Sequence, residues 1–272
     1  MELKVSTGES FLNRSCASSD GVSKAHFHDC YEIYYMIEGN RRYFINEKIF
    51  DVRTGDVIVI PEQTIHKVTK CPNRKSGEMH SRYVIYPTFE MIPNVFKHFI
   101  KHYHYRPSPR DSRKIKESFE EIEAEVNSPR SFSPQLIKAS LIRILGVLAD
   151  NSDKTARTGE VSHHDLLMEE VCHYIMNHFN EPLTLDELSR KYRFNKSYFS
   201  VLFKESTGFN FLEYLTNLRI VHAANLLKET NLPITEISDQ CGYNDSNYFA
   251  AVFKKIFCVT PIKYRKHFRE KT

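Results

Sequence analysis

Three imidazoles and a carboxylate lie close together early in the chain: His26, His28 and Glu32, with His66 further on. Positions 26, 28 and 32 share strand parity, so an extended segment turns all three to one face. His66, downstream of Pro61, would join them from a paired strand. Such donors suit a borderline divalent metal such as Zn, Ni, Mn or Fe. They equally suit a metal-free pocket that hydrogen-bonds a small polar effector, and a third use is purely structural. Tyr34 and Met36 share the same parity and are expected to line the same pocket.

A second chemistry is written near the other end. Ser197-Tyr-Phe-Ser-Val-Leu-Phe-Lys reappears as Asn247-Tyr-Phe-Ala-Ala-Val-Phe-Lys, displaced by 50 positions, and Tyr214 pairs with Tyr264 at the same offset. Upstream, Leu185 and Leu188 match Ile234 and Ile237 at an offset of 49, so the second copy holds one extra residue in its turn, near Gly242. Each copy reads as helix, tight turn, helix. Thr184 with Glu187 forms a capping box, and Asn244 or Asp245 caps the second helix of the later copy. Gly208 closes the second helix of the first copy. This is the helix-turn-helix pattern, whose second helix enters the major groove of DNA. Helical periodicity assigns Tyr198, Phe199, Leu202 and Phe203 to a buried stripe, and Tyr248, Phe249, Val252 and Phe253 likewise. The opposite faces then present Ser197, Ser200 and Val201 in one copy and Ser246, Asn247, Ala250 and Ala251 in the other. These are the candidate base readers: Asn pairs with adenine, Ser serves donor or acceptor, and small apolar groups meet thymine methyls. Lys204, Arg219, Lys254 and Lys255 are the candidate phosphate contacts, which set register rather than sequence.

The elements that must position these residues differ between the two halves. Tyr31-Glu-Ile-Tyr-Tyr-Met-Ile, Arg42-Tyr-Phe-Ile and Asp56-Val-Ile-Val-Ile are rich in β-branched and aromatic residues, punctuated by Gly39-Asn40, Asn46-Glu47 and Gly55-Asp56. With a further strand at Ser81–Tyr86, they predict an antiparallel barrel or jelly roll over 1–92. Two amphipathic helices follow in 93–150. One carries Ile115, Phe119, Ile122 and Val126; the other, capped by Ser133, carries Ile137, Leu141, Ile144 and Leu148. They pack on the barrel, form a dimerisation seam, or do both. The polar stretch 151–162 has linker composition, and 163–272 is all helical. The fold class is therefore α+β: a β-barrel with helices, then an all-α domain of two helix-turn-helix units joined by one long helix, Phe211 to Glu229.

Composition sets limits. A hydrophobic fraction of 41% in 272 residues supports folded domains, and a net charge of +4 would not by itself indicate nucleic acid. The basic character is local: from Lys254 onward, seven Lys or Arg stand against one Glu. The six cysteines, at 16, 30, 71, 172, 241 and 258, form no CxxC pair, so reduced thiols are expected rather than a zinc finger or disulfide framework. No stretch has the length of a membrane span, and residues 1–13 lack a basic-then-apolar run, so a cytoplasmic protein is expected.

The repeat resembles the DNA-binding domain of the AraC/XylS family of transcription regulators. The resemblance is carried by Leu183-Thr-Leu-Asp-Glu-Leu, by Ser197-Tyr-Phe-Ser-Val-Leu-Phe-Lys-Glu, by Leu218-Arg-Ile-Val-His-Ala-Ala-Asn-Leu-Leu, by Ile234-Thr-Glu-Ile-Ser-Asp-Gln-Cys-Gly-Tyr and by Thr260-Pro-Ile-Lys-Tyr-Arg. It covers essentially all of 165–268. Arg193 departs from it, since many members carry Gly in the first turn. The family implies seven helices reaching two successive major-groove segments. The early histidines, with Gly21, Gly39, Gly55 and Pro61, resemble the two cupin motifs. Here Gln63 and Lys70 stand where Gly and Asn are usual, and one residue is missing between Gly21 and His26. Family members commonly carry a cupin-like sensor barrel.

The resulting expectation is a sequence-specific, non-enzymatic regulator. A small effector, a sugar or related molecule by resemblance, binds the barrel at His26, His28, Glu32, Tyr34, Met36 and His66. The expected partners are double-stranded DNA, a second copy in a homodimer, and RNA polymerase for an activator; no cofactor is required. One rival is a metallocupin sensor or enzyme with His26, His28, Glu32 and His66 as ligands. The other is a regulator controlled by a protein partner.

Overall fold

The computed structural model describes residues 11–18, 30–69, 79–87, 91–92, 102–151 and 162–269. These fall into two compact units, one within residues 5–160 and one within 161–272. Residues 152–161, most of the expected linker, lie outside the described residues.

Among the described residues the first unit holds eight strands: β1 Phe11–Ser18, β2 Glu32–Glu38, β3 Asn40–Ile45, β4 Lys48–Arg53, β5 Val57–Ile60, β6 His66–Thr69, β7 Met79–Tyr86 and β8 His104–Tyr105. All pairings are antiparallel, in a five-stranded sheet ordered β1-β7-β2-β5-β8 and a three-stranded sheet ordered β4-β3-β6. Strands β1 and β8 escape the sequence pattern. Gly39, Asn46 and Gly55 all turn with positive φ, a conformation open to Gly and tolerated by Asn. At Gly55 there is a second constraint, because a Cβ would stand 2.8 Å from Ser112 Oγ.

Strand alternation gives β2 two buried faces. Tyr34 and Met36 point between the sheets with Tyr43, Ile45, Val52, Ile58, Ile60 and Val84. Ile33 and Tyr35 point the other way, with Val57, Val59, Tyr83 and Ile85. Helices α1 (Pro109–Asn127) and α2 (Ser133–Asp150) cover that second face through Ile115, Phe119, Ile122, Leu141, Ile144 and Leu148. Each such side chain, fully withdrawn from water, contributes about 1.5–3 kcal/mol. The stripe proposed for packing or dimerisation is thus used within the chain. Ser133 does not cap α2: Phe132 is the N-cap, without a side-chain bond. The Ser133 hydroxyl instead donates to Glu125 at 2.5 Å.

The second unit holds α3 (His163–His178), α4 (Leu185–Lys191), α5 (Lys196–Thr207), α6 (Phe211–Glu229), α7 (Ile234–Gln240), α8 (Ser246–Phe257) and α9 (Pro261–Arg269). Local chemistry defines most boundaries. The Thr184–Glu187 capping box starts α4, Asn195 caps α5, an Asn210–Glu213 box starts α6 and Asp245 caps α8. The core is aromatic: Phe199, Phe203, Phe209, Tyr214, Phe249 and Phe253 are fully buried. Among the described residues, Cys30, Cys172, Cys241 and Cys258 form no disulfide. Burial pushes the Cys241 thiol up to about 12, which keeps it protonated and unreactive.

Candidate nucleic-acid interface and sensor pocket

The two helix-turn-helix units correspond in sequence and in the order of helix, left-handed turn and capped helix. In the first, α4 ends at Tyr192, Arg193 turns at φ +60°, and Asn195 caps α5. In the second, α7 ends at Cys241, Gly242 turns at φ +76°, and Asp245 caps α8. The extra residue of the second copy is Asn244, between the left-handed turn and the cap. The copies end alike, α5 at Gly208 with φ +79° and α8 at Cys258 with φ +62°.

The outward rows of α5 and α8 correspond position by position. Ser197 and Asn247 are exposed, as are Val201 and Ala251, Lys204 and Lys254, and Lys255; Ser200, Ser246 and Ala250 are half-buried. Among the described residues, the Asn247 side chain and the ammonium groups of Lys204 and Lys254 have no hydrogen-bond or ion-pair partner. Tyr198 and Tyr248 correct the assigned stripe: they are 48% and 62% exposed. Tyr198 stacks on the turn residue Phe194, and Tyr248 lies tilted against the turn residue Tyr243, each one residue before its buried Phe. The buried stripe is therefore Phe199, Leu202 and Phe203 in α5, and Phe249 and Phe253 in α8. Two phenol rings join the outward face that periodicity had excluded.

Arg219 requires a second correction. Its Nε donates to the Phe179 carbonyl at 2.7 Å and its Nη2 to the Glu181 carbonyl at 2.8 Å. The guanidinium also lies 5.6 Å from the Tyr243 ring centroid. Burial lowers its pKa, although the group stays charged. It is a fastener between α6, the α3–α4 connection and the turn of the second unit, not a group extended toward phosphate. Gly242 belongs to the same junction: a Cβ there would stand 2.7 Å from the Asn180 carbonyl oxygen. Arg269, displaced by 50 from Arg219, also donates to a loop carbonyl, that of Thr230, at 3.1 Å, and Arg265 donates to Leu232 O at 2.6 Å. Part of the basic C-terminal run is thus spent inside the fold. Sequence spacing held a signal here, since both arginines repeat at the copy offset.

In the first unit, Glu32 and His66 face each other between the sheets, Oε2 to Nε2 at 3.4 Å, and both are buried. His66 Nδ1 donates to the Thr64 carbonyl at 2.9 Å. His26 and His28 lie outside the described residues. Among the described residues no three metal-ligating side chains converge. Tyr34 and Met36 are buried in the same interior, the Tyr34 hydroxyl donating to Met36 Sδ at 3.6 Å, and Tyr43 stands edge-on to Tyr34.

Three further interior residues escape sequence reasoning. Arg41 and His80 are almost wholly buried, and Arg82 reaches the same place from β7. Arg41 Nη2 is 3.1 Å from both ring nitrogens of His80, and Arg82 Nη1 is 3.3 Å from His80 Nε2. Burial opposes the Arg82 charge, but Tyr43, Tyr34 and Glu32 around it prevail and raise its pKa. Strand parity held the only signal: 41 shares parity with Tyr43 and Ile45, and 80 and 82 share parity with Val84.

The comparisons agree with both halves. A family model described as an AraC-like ligand binding domain matches residues 8–145, and one described as a helix-turn-helix domain matches residues 188–267. The chain is similar to the HTH-type transcriptional activator RhaR of Mannheimia succiniciproducens, 28% identical over 90% of this chain and 88% of that one. The RhaR of Salmonella schwarzengrund is 25% identical over 90% and 87%. Among solved structures, the C-terminal domain of AraT, a response regulator from Geobacillus stearothermophilus, is 34% identical over 40% of this chain and 88% of that one, with a TM-score of 0.37. With a ligand-binding sheet unit and a duplicated helix-turn-helix unit each matched in its place, the chain belongs to the AraC family of transcription regulators.

Proposed function

We propose that this protein is a transcriptional activator whose helices α5 and α8 read double-stranded DNA while a small effector between the two sheets of the first unit controls it. The observation that carries the reading is the matched pair of outward rows, Ser197, Tyr198, Val201 and Lys204 against Asn247, Tyr248, Ala251 and Lys254. Small, polar and cationic groups recur at one spacing on two helices, as two successive major-groove contacts require. Ser200, Ser246 and Ala250 complete the base-reading set, and Lys204, Lys254 and Lys255 the phosphate set.

The effector reading rests on the polar interior, where Glu32, His66 and Tyr34 are buried at positions that apolar side chains would occupy at less cost. The pocket works without a metal: Arg82 shares the interior with Glu32 and opposes a dication there. The protein then acts by binding rather than catalysis, in the cytoplasm, where its DNA is. A homodimer would place four recognition helices on one operator and add affinity that a modest net charge does not supply. Activation implies contact with RNA polymerase.

Operator sites selected by the intact protein from a random-sequence DNA library test the reading. Asn247→Ala should cost about 1–3 kcal/mol on the selected site and relax preference at one base position. Lys254→Ala should weaken binding to every sequence and reduce the salt slope by roughly one. Equal loss on selected and random DNA for the Asn247 change refutes its base-reading role.

A further inference from the structure

The repeat supplies a control within the chain. Arg219 of α6 and Arg269 of α9 stand 50 positions apart, and each holds the loop ahead of its own copy. Arg219 donates to the carbonyls of Phe179 and Glu181, and Arg269 to that of Thr230. Arg219 makes one contact more. Its guanidinium carbon lies 5.6 Å from the ring centroid of Tyr243, in the turn of the other copy. Tyr243 is buried and packs on α8, its ring 5.4 Å from that of Phe249 and 6.1 Å from that of Tyr248. The Tyr243 hydroxyl is buried without a hydrogen-bond partner among the described residues, so the ring rather than the hydroxyl makes these contacts.

The turn glycine points the same way. Arg193 and Gly242 hold equivalent left-handed positions, φ +60° and +76°. Arg193 is exposed, so the turn itself accommodates a side chain. At Gly242 a Cβ would stand 2.7 Å from the Asn180 carbonyl oxygen and 3.0 Å from Arg219 Nη2. Close approach between the copies, and not φ alone, therefore demands glycine there.

A connecting helix sets the separation of two units along its axis, whereas side contacts such as these set the angle about it. On B-DNA a change of one base pair moves a half-site by about 3.4 Å and turns it by roughly 35°, so distance and angle must both match. We propose that Arg219, Gly242 and Tyr243 form a joint that holds α8 at one angle to α5, and thereby set the number of base pairs accepted between the two half-sites. The inference rests on the reading that α5 and α8 both contact bases. The three are positioning residues that act through α8.

DNA selected by the full-length protein, remade with one base pair inserted or removed between the half-sites, tests the joint. Each affinity is expressed as a ratio to that for the selected spacing, a quantity independent of the fraction of protein folded. The unsubstituted protein should bind roughly tenfold or more weakly at either altered spacing, the change that misplacing one or two base contacts produces. Arg219→Gln and Tyr243→Leu should bring the three spacings within about threefold of one another. Gly242→Ala, whose Cβ wedges the turn away from Asn180, should flatten or move the preference. Where one variant does not fold, the other two carry the test. Tyr243→Phe keeps the ring and should keep the preference; its loss there places the effect on the hydroxyl and overturns the ring contact. An unchanged preference in the folded variants overturns the joint and leaves α6 to set the spacing. Indifference of the unsubstituted protein to spacing also overturns it, while the two-helix reading stands if scrambling either half-site weakens binding. If scrambling the α8 half-site changes nothing, that reading itself falls.

Discussion

Arg219→Ala separates two roles that one cation can play. As a phosphate contact, Arg219 would contribute to DNA affinity at low salt and little to stability. As a fastener, it contributes to the fold before any DNA arrives. Its two bonds, at 2.7 Å to Phe179 O and 2.8 Å to Glu181 O, are charge-assisted, and each such bond is worth about 1.5–3 kcal/mol when shielded. The guanidinium is only half-buried, so the lower end applies. Contact with the Tyr243 ring at 5.6 Å adds about 0.5 kcal/mol. The expected loss is about 3 kcal/mol in a unit near a hundred residues, where each kcal/mol moves Tm by roughly 4 °C or more. A fall of roughly 12 °C or more, measured by calorimetry or circular dichroism, is therefore expected. Well below the new Tm, the salt slope of DNA binding should match that of the unsubstituted protein. Arg219→Lys should recover less than half of the loss, because an ammonium on a single stem cannot fork to two carbonyls. An unchanged Tm combined with a salt slope reduced by about one, restored by Lys, refutes the fastener.

Two further outcomes follow from the local geometry. Asp56 is buried, which by itself would raise its pKa, but hydrogen bonds from Arg106 and His104 hold the carboxyl below its ordinary 3.8. A depressed folded-state pKa means that this stabilisation is complete above 3.8 and is lost as pH falls through the folded value. Denaturant midpoints recorded from about pH 6 downward should show that slope, Asp56→Asn should remove its share of it at a cost of about 3 kcal/mol at neutral pH, and an identical slope in the variant excludes the network as its source. Arg193 adopts φ +60° where the second copy has Gly242, so Arg193→Gly should relieve strain of about 1 kcal/mol, less the added unfolded-state freedom of Gly. A small rise in Tm is expected, and a fall shows that the Arg193 side chain itself holds the turn.

What was legible in the sequence was local. Thr184 with Glu187, and Asp245, cap the helices that their spacing announces, because capping bonds join residues two or three apart. The 50-residue repeat placed Ser197 beside Asn247 in role, since helical periodicity alone turns equivalent positions to equivalent faces. Tyr198 and Tyr248 lay at the edge of the apolar stripe, where a rotation of one residue about the helix decides exposure, and only the packing of α5 and α8 on their neighbours sets that rotation. Arg219 read as a free cation because its acceptors lie about forty positions upstream, brought near by the packing of α6. Arg41, His80 and Arg82 were passed over because charged residues on strands are ordinarily solvated. Their alternation pointed inward, but whether inward meant buried depended on β3 and β7 belonging to two sheets that close over the same space. Sequence thus determined most of the elements and the family they serve; tertiary structure decided which charges stay on the outward face and which the fold keeps inside, because burial is a property of neighbours distant in the chain.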